Sequence, residues 1–438
     1  MSSAFRSLGV FNYRVWFAGA TVSNIGTWMQ RTAQDWIVLT MLTKNDATAV
    51  GVTMALQFGP QLLLTPITGL AADRVDRRKL LMATQGAMGA LGLALGLLTV
   101  TGAVQLWMVY VFAFLLGCVT AFDAPVRQTF VSSLVPQSLL SNAVGLNATS
   151  FNTARLIGPA VAGLLTAAVG AGWVFLINAV TFAATLAALF LFRRDELVVS
   201  TRAPRARGQI REGFRYVFGR SDLVLVFVMI FLMGTIGVNF PIYSSTMASV
   251  AFHAGATEFG LLSTAFAVGS VIGALLAARR ERPRLRSVAL GGAGFGFSLI
   301  AAACMPTFWS FAAVLPLVGI TSITMMNNAN AYVQTTTDPA LRGRVMSLYM
   351  AIVMGGTPIG APIIGAIANA FGPRWGLVAG ATGGLIPAVI AVVWWMRHRH
   401  VRLGWDSDRR WPLVLRGIAD REVATESIAV TEIEAQKG

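Results

Sequence analysis

Apolar residues dominate twelve stretches of the chain: 13–42, 48–71, 79–101, 104–127, 138–169 and 171–192, then 222–250, 257–278, 287–304, 308–334, 343–370 and 374–396. Each approaches or exceeds the roughly 20 residues an α-helix needs to cross a hydrocarbon layer. Polar breaks or charge clusters separate them. The pattern predicts an all-α polytopic membrane protein with twelve transmembrane helices in two six-helix bundles. Residues 1–192 form the first bundle, 193–221 a central cytoplasmic loop, 222–396 the second bundle and 397–438 a cytoplasmic tail. The fifth stretch is the least regular, because Asn147, Asn152, Thr153 and Arg155 interrupt it. Such a polar face belongs inside a bundle rather than against lipid.

Composition supports this division. Hydrophobic residues make up 55% of the 438 and charged residues only 12%, with a mean hydropathy of +0.66. A soluble chain carries about twice that charge. The net charge of +15 by itself suggests nucleic acid, but its distribution excludes that. Arg74, Arg77, Arg78 and Lys79 lie between the second and third stretches, and eight arginines from Arg193 to Arg220 lie in the central loop. Arg279, Arg280, Arg282, Arg284 and Arg286 follow the eighth stretch, and Arg342 and Arg344 precede the eleventh. The alternate loops hold little beyond Lys44 and Arg374. Basic residues recurring at every second turn orient a membrane protein, with both termini cytoplasmic, and do not gather into one nucleic-acid patch.

The only lysines are Lys44, Lys79 and Lys437, an arginine bias that points to a GC-rich bacterial genome and so to a bacterial cytoplasmic (inner) membrane. The first stretch runs past Asn24, Gln30, Arg31 and Asp35 without a small-residue cleavage motif, which reads as a retained helix rather than a signal peptide. Cys118, Cys304 and three scattered histidines imply neither a disulfide framework nor a metal site. No phosphate loop, zinc cluster or lipase elbow appears, so the expectation is a non-enzyme without a cofactor. In the tail, Trp405, Trp411, Leu413, Leu415 and Ile418 suit a membrane surface, and a disordered tail fits equally well.

A weak internal repeat supports two halves. Pro136 and Pro159 bracket the start of the fifth stretch at the spacing with which Pro339 and Pro362 bracket the start of the eleventh. The strings VPQSLLSNAVGLN and DPALRGRVMSLYM occupy corresponding places. Two such halves suggest a central route between them.

Polar residues within apolar stretches are the candidate chemistry, since ionisable groups in a membrane span are expensive and normally face an interior. Arg31 and Asp35 stand four apart in the first stretch and can meet on one helical face, with Gln34 beside them. Asp35 either binds a proton or neutralises Arg31. Arg155 either pairs with Asp35 or a helix carbonyl, or couples to a proton or an anionic substrate. Asp123 and Arg127, also four apart, read as gating residues or as a local ion pair. Asn239 and Tyr243 in the seventh stretch, and Asn327, Asn328, Asn330 and Gln334 in the tenth, are candidate substrate contacts or mutual helix-packing partners. Glu258, beside His253, reads as a loop charge.

The string Gly69-Leu-Ala-Ala-Asp73-Arg74-Val-Asp76-Arg77-Arg78-Lys79 resembles the signature loop of the major facilitator superfamily: Gly, three residues, Asp-Arg, one residue, Gly, then basic residues. Asp76 stands where the second Gly is usual, which leaves the local turn open. The resemblance implies a conformational latch between helices, with Asp73 accepting hydrogen bonds and Arg77 pairing with an acid on closure. Arg280 and Arg282 mark a degenerate second copy. SNIGTWMQRTAQDWIVLTMLT in the first helix and RQTFVSSLVPQSLLSNAVGLNATSFNTARLIGPAVAGLL from Arg127 onward are similar to the branch that includes enterobactin and macrolide exporters.

That resemblance implies secondary active efflux by alternating access, exchanging inward protons for a drug, siderophore or hydrophobic metabolite. Asp35 is the expected proton site, tuned by Arg31 or Arg155. The expected partners are a small-molecule substrate, protons and membrane lipid, with no nucleic acid, and one chain suffices as a working monomer. Proton-coupled uptake or facilitated diffusion of a small solute would use the same scaffold, and a membrane receptor is the remaining class.

Overall fold

The computed structural model describes residues 3–193, 196, 209–278, 284–398, 402–405 and 413–416. Six long helices occupy the first half: α1 (Phe11–Thr40), α2 (Ala47–Arg74), α3 (Arg77–Val100), α4 (Leu106–Leu134), α5 (Leu140–Val169) and α6 (Ala171–Leu191). A short helix, α7 (Gln209–Phe218), lies where the sequence suggested only loop. The second half holds α8 (Ser221–Leu232), α9 (Phe240–Thr246), α10 (Ala256–Ala278), α11 (Leu285–Ala303), α12 (Phe308–Thr336), α13 (Arg342–Phe371) and α14 (Pro373–His398). Two short strands, β1 (Arg402–Trp405) and β2 (Leu413–Arg416), pair antiparallel in the tail. Trp411 and Ile418 lie outside the described residues.

Among the described residues ten segments are long and apolar enough to span a membrane, α8 and α9 counting as one from Ser221 to Ala251. The 30-residue α1 and α5 are absent from those ten although they match the others in length. They carry the polar interruptions that the sequence places inside a bundle. They pack against each other, and α1 also against α6, completing twelve crossing elements.

Local chemistry fixes the turns. Asp76 caps α3, its carboxylate accepting the Lys79 amide at 2.9 Å. A carboxylate cap needs no left-handed backbone, and Asp76 sits at φ −56°, which explains why Gly is dispensable there. Gly170 and Gly372, at φ +89° and +95°, make the tight α5–α6 and α13–α14 turns, one in each half. A Thr307–Ser310 capping box opens α12.

The seventh crossing is not the continuous helix that its apolar run predicts. It widens into a π-turn at Met233–Gly237, breaks at Val238 and Asn239, resumes as α9 and widens again at Met247–Ala251. Gly360 of α13 lies against the Thr235 carbonyl, so backbone meets backbone at the break.

The halves join through α2 with α13 and α5 with α10. Glycines set these contacts. A Cβ on Gly163 would stand 2.6 Å from the Ala256 carbonyl oxygen, and one on Gly260 would stand 2.6 Å from that of Pro159. Gly51 lies on the Ala361 carbonyl, and Gly365 on that of Ala47. All four contacts sit in the halves of the helices farthest from the basic loops. There Asn369 accepts the Ala47 amide at 2.7 Å and donates to Thr48 at 2.8 Å, and Ser249 meets Asn45 at 2.6 Å. Trp36 stacks on Phe259 across the same seam, ring centroids 5.4 Å apart. Among the described residues a further hydrogen bond joins the halves nearer the middle of the two helices, Thr264 of α10 donating to the Leu156 carbonyl of α5 at 3.5 Å. Gly260→Val should therefore wedge α5 from α10 and expose the interior from the far side. Labelling of Ser263→Cys by an impermeant maleimide applied there, in a chain without Cys118 and Cys304, should rise severalfold; unchanged labelling would show that the seam is not the seal.

Candidate functional site

A helix brings residues three, four and seven apart onto one face. In α1 that rule aligns Asn24, Thr27, Trp28, Arg31 and Asp35, which together line the interior. Two chambers meet on this stripe. The larger, about 540 Å³, lies among α1, α3, α4, α5 and α6 of the first half. It falls within the size range of small-molecule pockets. It opens toward the basic end, where Gln128 and Phe151 on its wall are exposed. Its lining mixes Trp16, Trp28, Phe151 and Phe182 with Asn24, Asn147, Asn152 and Asn178.

Asp123 anchors one wall. Its carboxylate accepts from Thr84 and Gln85 at 2.7 Å each and pairs with Arg127 at 2.9 Å. Arg127 also donates to Asn24 at 3.3 Å and lies over the Trp16 ring. The local ion pair therefore joins α1, α3 and α4 along the cavity. Deeper in the wall, Gln30 accepts a 2.5 Å hydrogen bond from Asn178.

The smaller chamber, about 110 Å³, lies between the halves, under the glycine seam. Trp28 and Arg31 border both chambers, so these two side chains form the wall the chambers share. The small one gathers Arg31 and Asp35 from α1, Gln57 from α2 and Arg155 from α5. Phe240 from α9 and Phe259, Ser263 and Phe266 from α10 close it from the other half.

Arg31 and Asp35 share this chamber but are not an ion pair within 4.0 Å among the described residues, contrary to the expectation from their spacing. The Arg31 guanidinium lies 5.3 Å from the Trp28 ring and 5.2 Å from that of Phe58, leaving its buried Nε without a hydrogen bond. Aromatic faces compete well for a guanidinium away from water. Arg155 lies 5.6 Å from the same Trp28 ring and pairs neither with Asp35 nor with a helix carbonyl. Two cations thus share one indole, with a single carboxylate in the same chamber.

The other candidates are scattered. Gln34 is buried outside both chambers, with neither amide atom bonded. Asn239 donates to the Thr235 and Ile236 carbonyls at 2.8 and 3.1 Å, and Tyr243 to that of Ile236 at 2.6 Å. Both satisfy backbone freed by the seventh-crossing break and border neither chamber. Asn328 reaches toward the Ser287 carbonyl at 3.5 Å. Asn327, Asn330 and Gln334 form one stripe of α12, with Gln334 donating to Asn330 at 2.5 Å. Arg77 donates to Ser133 at 3.3 Å instead of to an acid. The side chain of Asp73 lies outside the described residues, as do Arg280 and Arg282. Glu258 accepts the Gly255 amide at 3.0 Å, a local turn contact.

Gln57, Trp28 and Phe58 are site residues that the sequence reading passed over. Gln57 carried a signal, a lone amide in the apolar run MALQFGP, and its Nε2 is buried without a partner. Nothing in the order of residues marks the two aromatic rings as guanidinium platforms.

Known proteins agree with this architecture. A staphyloferrin A transporter of Staphylococcus aureus is 25% identical over 365 residues, 82% of this chain and 90% of that one. A macrolide efflux protein A of Streptococcus pyogenes is 26% identical over 382 residues, 84% and 92% of the two chains. The crystal structure of a bacterial homologue of the human lysosomal transporter Spinster, inward-facing and unoccupied, superposes with a TM-score of 0.67 at 13% identity, covering 87% of this chain and 95% of its own. The family model described as transmembrane secretion effector matches residues 2–419. With its paired six-helix halves and interior chambers, the chain belongs to that family of the major facilitator superfamily, whose members are transport proteins and not enzymes.

Proposed function

We propose that this protein is a secondary active exporter that exchanges protons for a small amphiphilic molecule by alternating access, in a bacterial cytoplasmic membrane with both termini inside. The observation that carries this reading is the adjacency of the two chambers: an open cavity in the first half shares Trp28 and Arg31 with a chamber that holds a buried carboxylate, Asp35, beneath the glycine seam. Excess positive charge at the loops of the open end makes that end cytoplasmic under the positive-inside rule. The conformation is then inward-facing, the state in which an exporter loads.

Asp35 is 6% exposed and lies where the halves must part when the seam opens. A carboxylate there meets water from one side in one state and from the other side in the alternate state. Arg31 keeps its charge tolerable without consuming it in a fixed pair. The likeness to a macrolide efflux protein supports a substrate with a sizeable apolar body and polar edges.

Two measurements test this reading. In proteoliposomes, a pH gradient acid on the far side should drive a macrolide against its concentration gradient, and Asp35→Asn should abolish the uphill component while leaving downhill exchange; full coupling in Asp35→Asn would sink the assignment. For orientation, an impermeant maleimide should label Lys79→Cys in inside-out vesicles and spare it in right-side-out ones. The opposite labelling pattern would place the open end outside.

A further inference from the structure

Three groups in the small chamber have unmet bonding capacity of complementary kinds. Arg31 has an orphaned Nε, Arg155 has only a ring beneath it, and Gln57, 5% exposed, has an orphaned Nε2. Against these donors stands Asp35, an acceptor bonded to none of them. The charged groups facing this space are Arg31 and Asp35 from α1 and Arg155 from α5. The linings from α2, α9 and α10 are uncharged: Met54, Gln57 and Phe58, Phe240 and Pro241, and Phe259, Ser263 and Phe266.

Buried donors and acceptors without partners are expensive, so a site that holds both in reserve fits a ligand that supplies both. A purely anionic head would satisfy the guanidiniums and face the Asp35 carboxylate unpaired. A purely cationic head would satisfy Asp35 and meet two arginines. We infer that the small chamber binds a zwitterionic head, its acid group on Arg31 and Arg155 and its ammonium on Asp35, while the apolar body lies along Trp28 into the larger cavity. The size fits, since a chamber of about 110 Å³ takes a carboxylate and an ammonium on one carbon but not an aromatic body as well.

The assignment rests on the transport reading for the meaning of the chamber, and it deepens that reading. An ammonium resting on Asp35 occupies the acceptor that a proton would use. Ligand and proton then exclude each other, the condition that exchange requires.

Free tryptophan, indolepropionate and tryptamine share one aromatic body and carry a zwitterionic, an anionic and a cationic head. Isothermal titration of each into the full chain in nanodiscs should show free tryptophan binding about tenfold tighter than either of the others, the scale of one charge-assisted hydrogen bond. Arg31→Gln and Arg155→Gln should reduce tryptophan to the level of tryptamine. Asp35→Asn should remove its advantage over indolepropionate, and Arg31→Lys, which keeps the charge, should retain the ranking and show that the chamber is intact. Equal or stronger binding of indolepropionate or tryptamine, or binding of none of the three above protein-free nanodiscs, would overturn the assignment. The titration uses no gradient: a chain that binds tryptophan but pumps nothing loses the transport reading alone, and one that pumps but prefers a singly charged head loses this inference alone.

Discussion

A charge in hydrocarbon costs about 3 kcal/mol at the centre of a helix, and that penalty arranges this molecule. Arg31 and Asp35 on α1, and Arg155 on α5, cannot face lipid, so the two helices that carry them must lie where other helices cover them. They are the two long helices of the first half that fall short of a membrane span by hydropathy alone. Having placed α1 and α5 inside, the same penalty requires an interior that tolerates polarity. The chambers are that interior, and their lining is the set of groups the bilayer rejects.

The tight seam follows from a different constraint. Backbones approach closely only where side chains are absent, and Gly163 with Gly260, and Gly51 with Gly365, let α5 meet α10 and α2 meet α13 at one end. These contacts are dispersion and shape, with a few hydrogen bonds from Asn369 and Ser249. Among the described residues no ion pair crosses this interface. The charged residues Arg31, Asp35 and Arg155 sit below it, in the lining of the small chamber.

The fold was legible in the sequence because it depends on quantities summed over many residues, apolar length and proline spacing. The repeat Pro136/Pro159 and Pro339/Pro362 marks α5 and α13, which end in the matching glycine turns at Gly170 and Gly372. Asp76, where the signature loop usually has Gly, left the local turn open and proves to be a helix cap. The site was legible only in part. Asp35, Arg31 and Arg155 stand out as charges in apolar runs, and the structure brings all three to one chamber. Their pairing was not legible, since spacing on one helix says where a side chain can go but not which aromatic ring from α2 competes for it. Asn239 and Tyr243 looked like ligand contacts because the break in the seventh crossing, whose freed carbonyls they satisfy, is invisible in an unbroken apolar run.

The absence of a close Arg31–Asp35 pair therefore gains meaning from the rings around it. Had the two side chains met, the site would hold a neutralised dipole, stable and inert, with little to offer a ligand or a proton. Trp28 and Phe58 instead hold the guanidinium to one side by cation–π attraction, which satisfies its charge in part while leaving its N–H groups unused. The carboxylate is kept near enough to feel the cation and far enough to remain available. The exchange proposed above would need an acidic group whose partner can be replaced, a condition that aromatic rings on α1 and α2 would maintain.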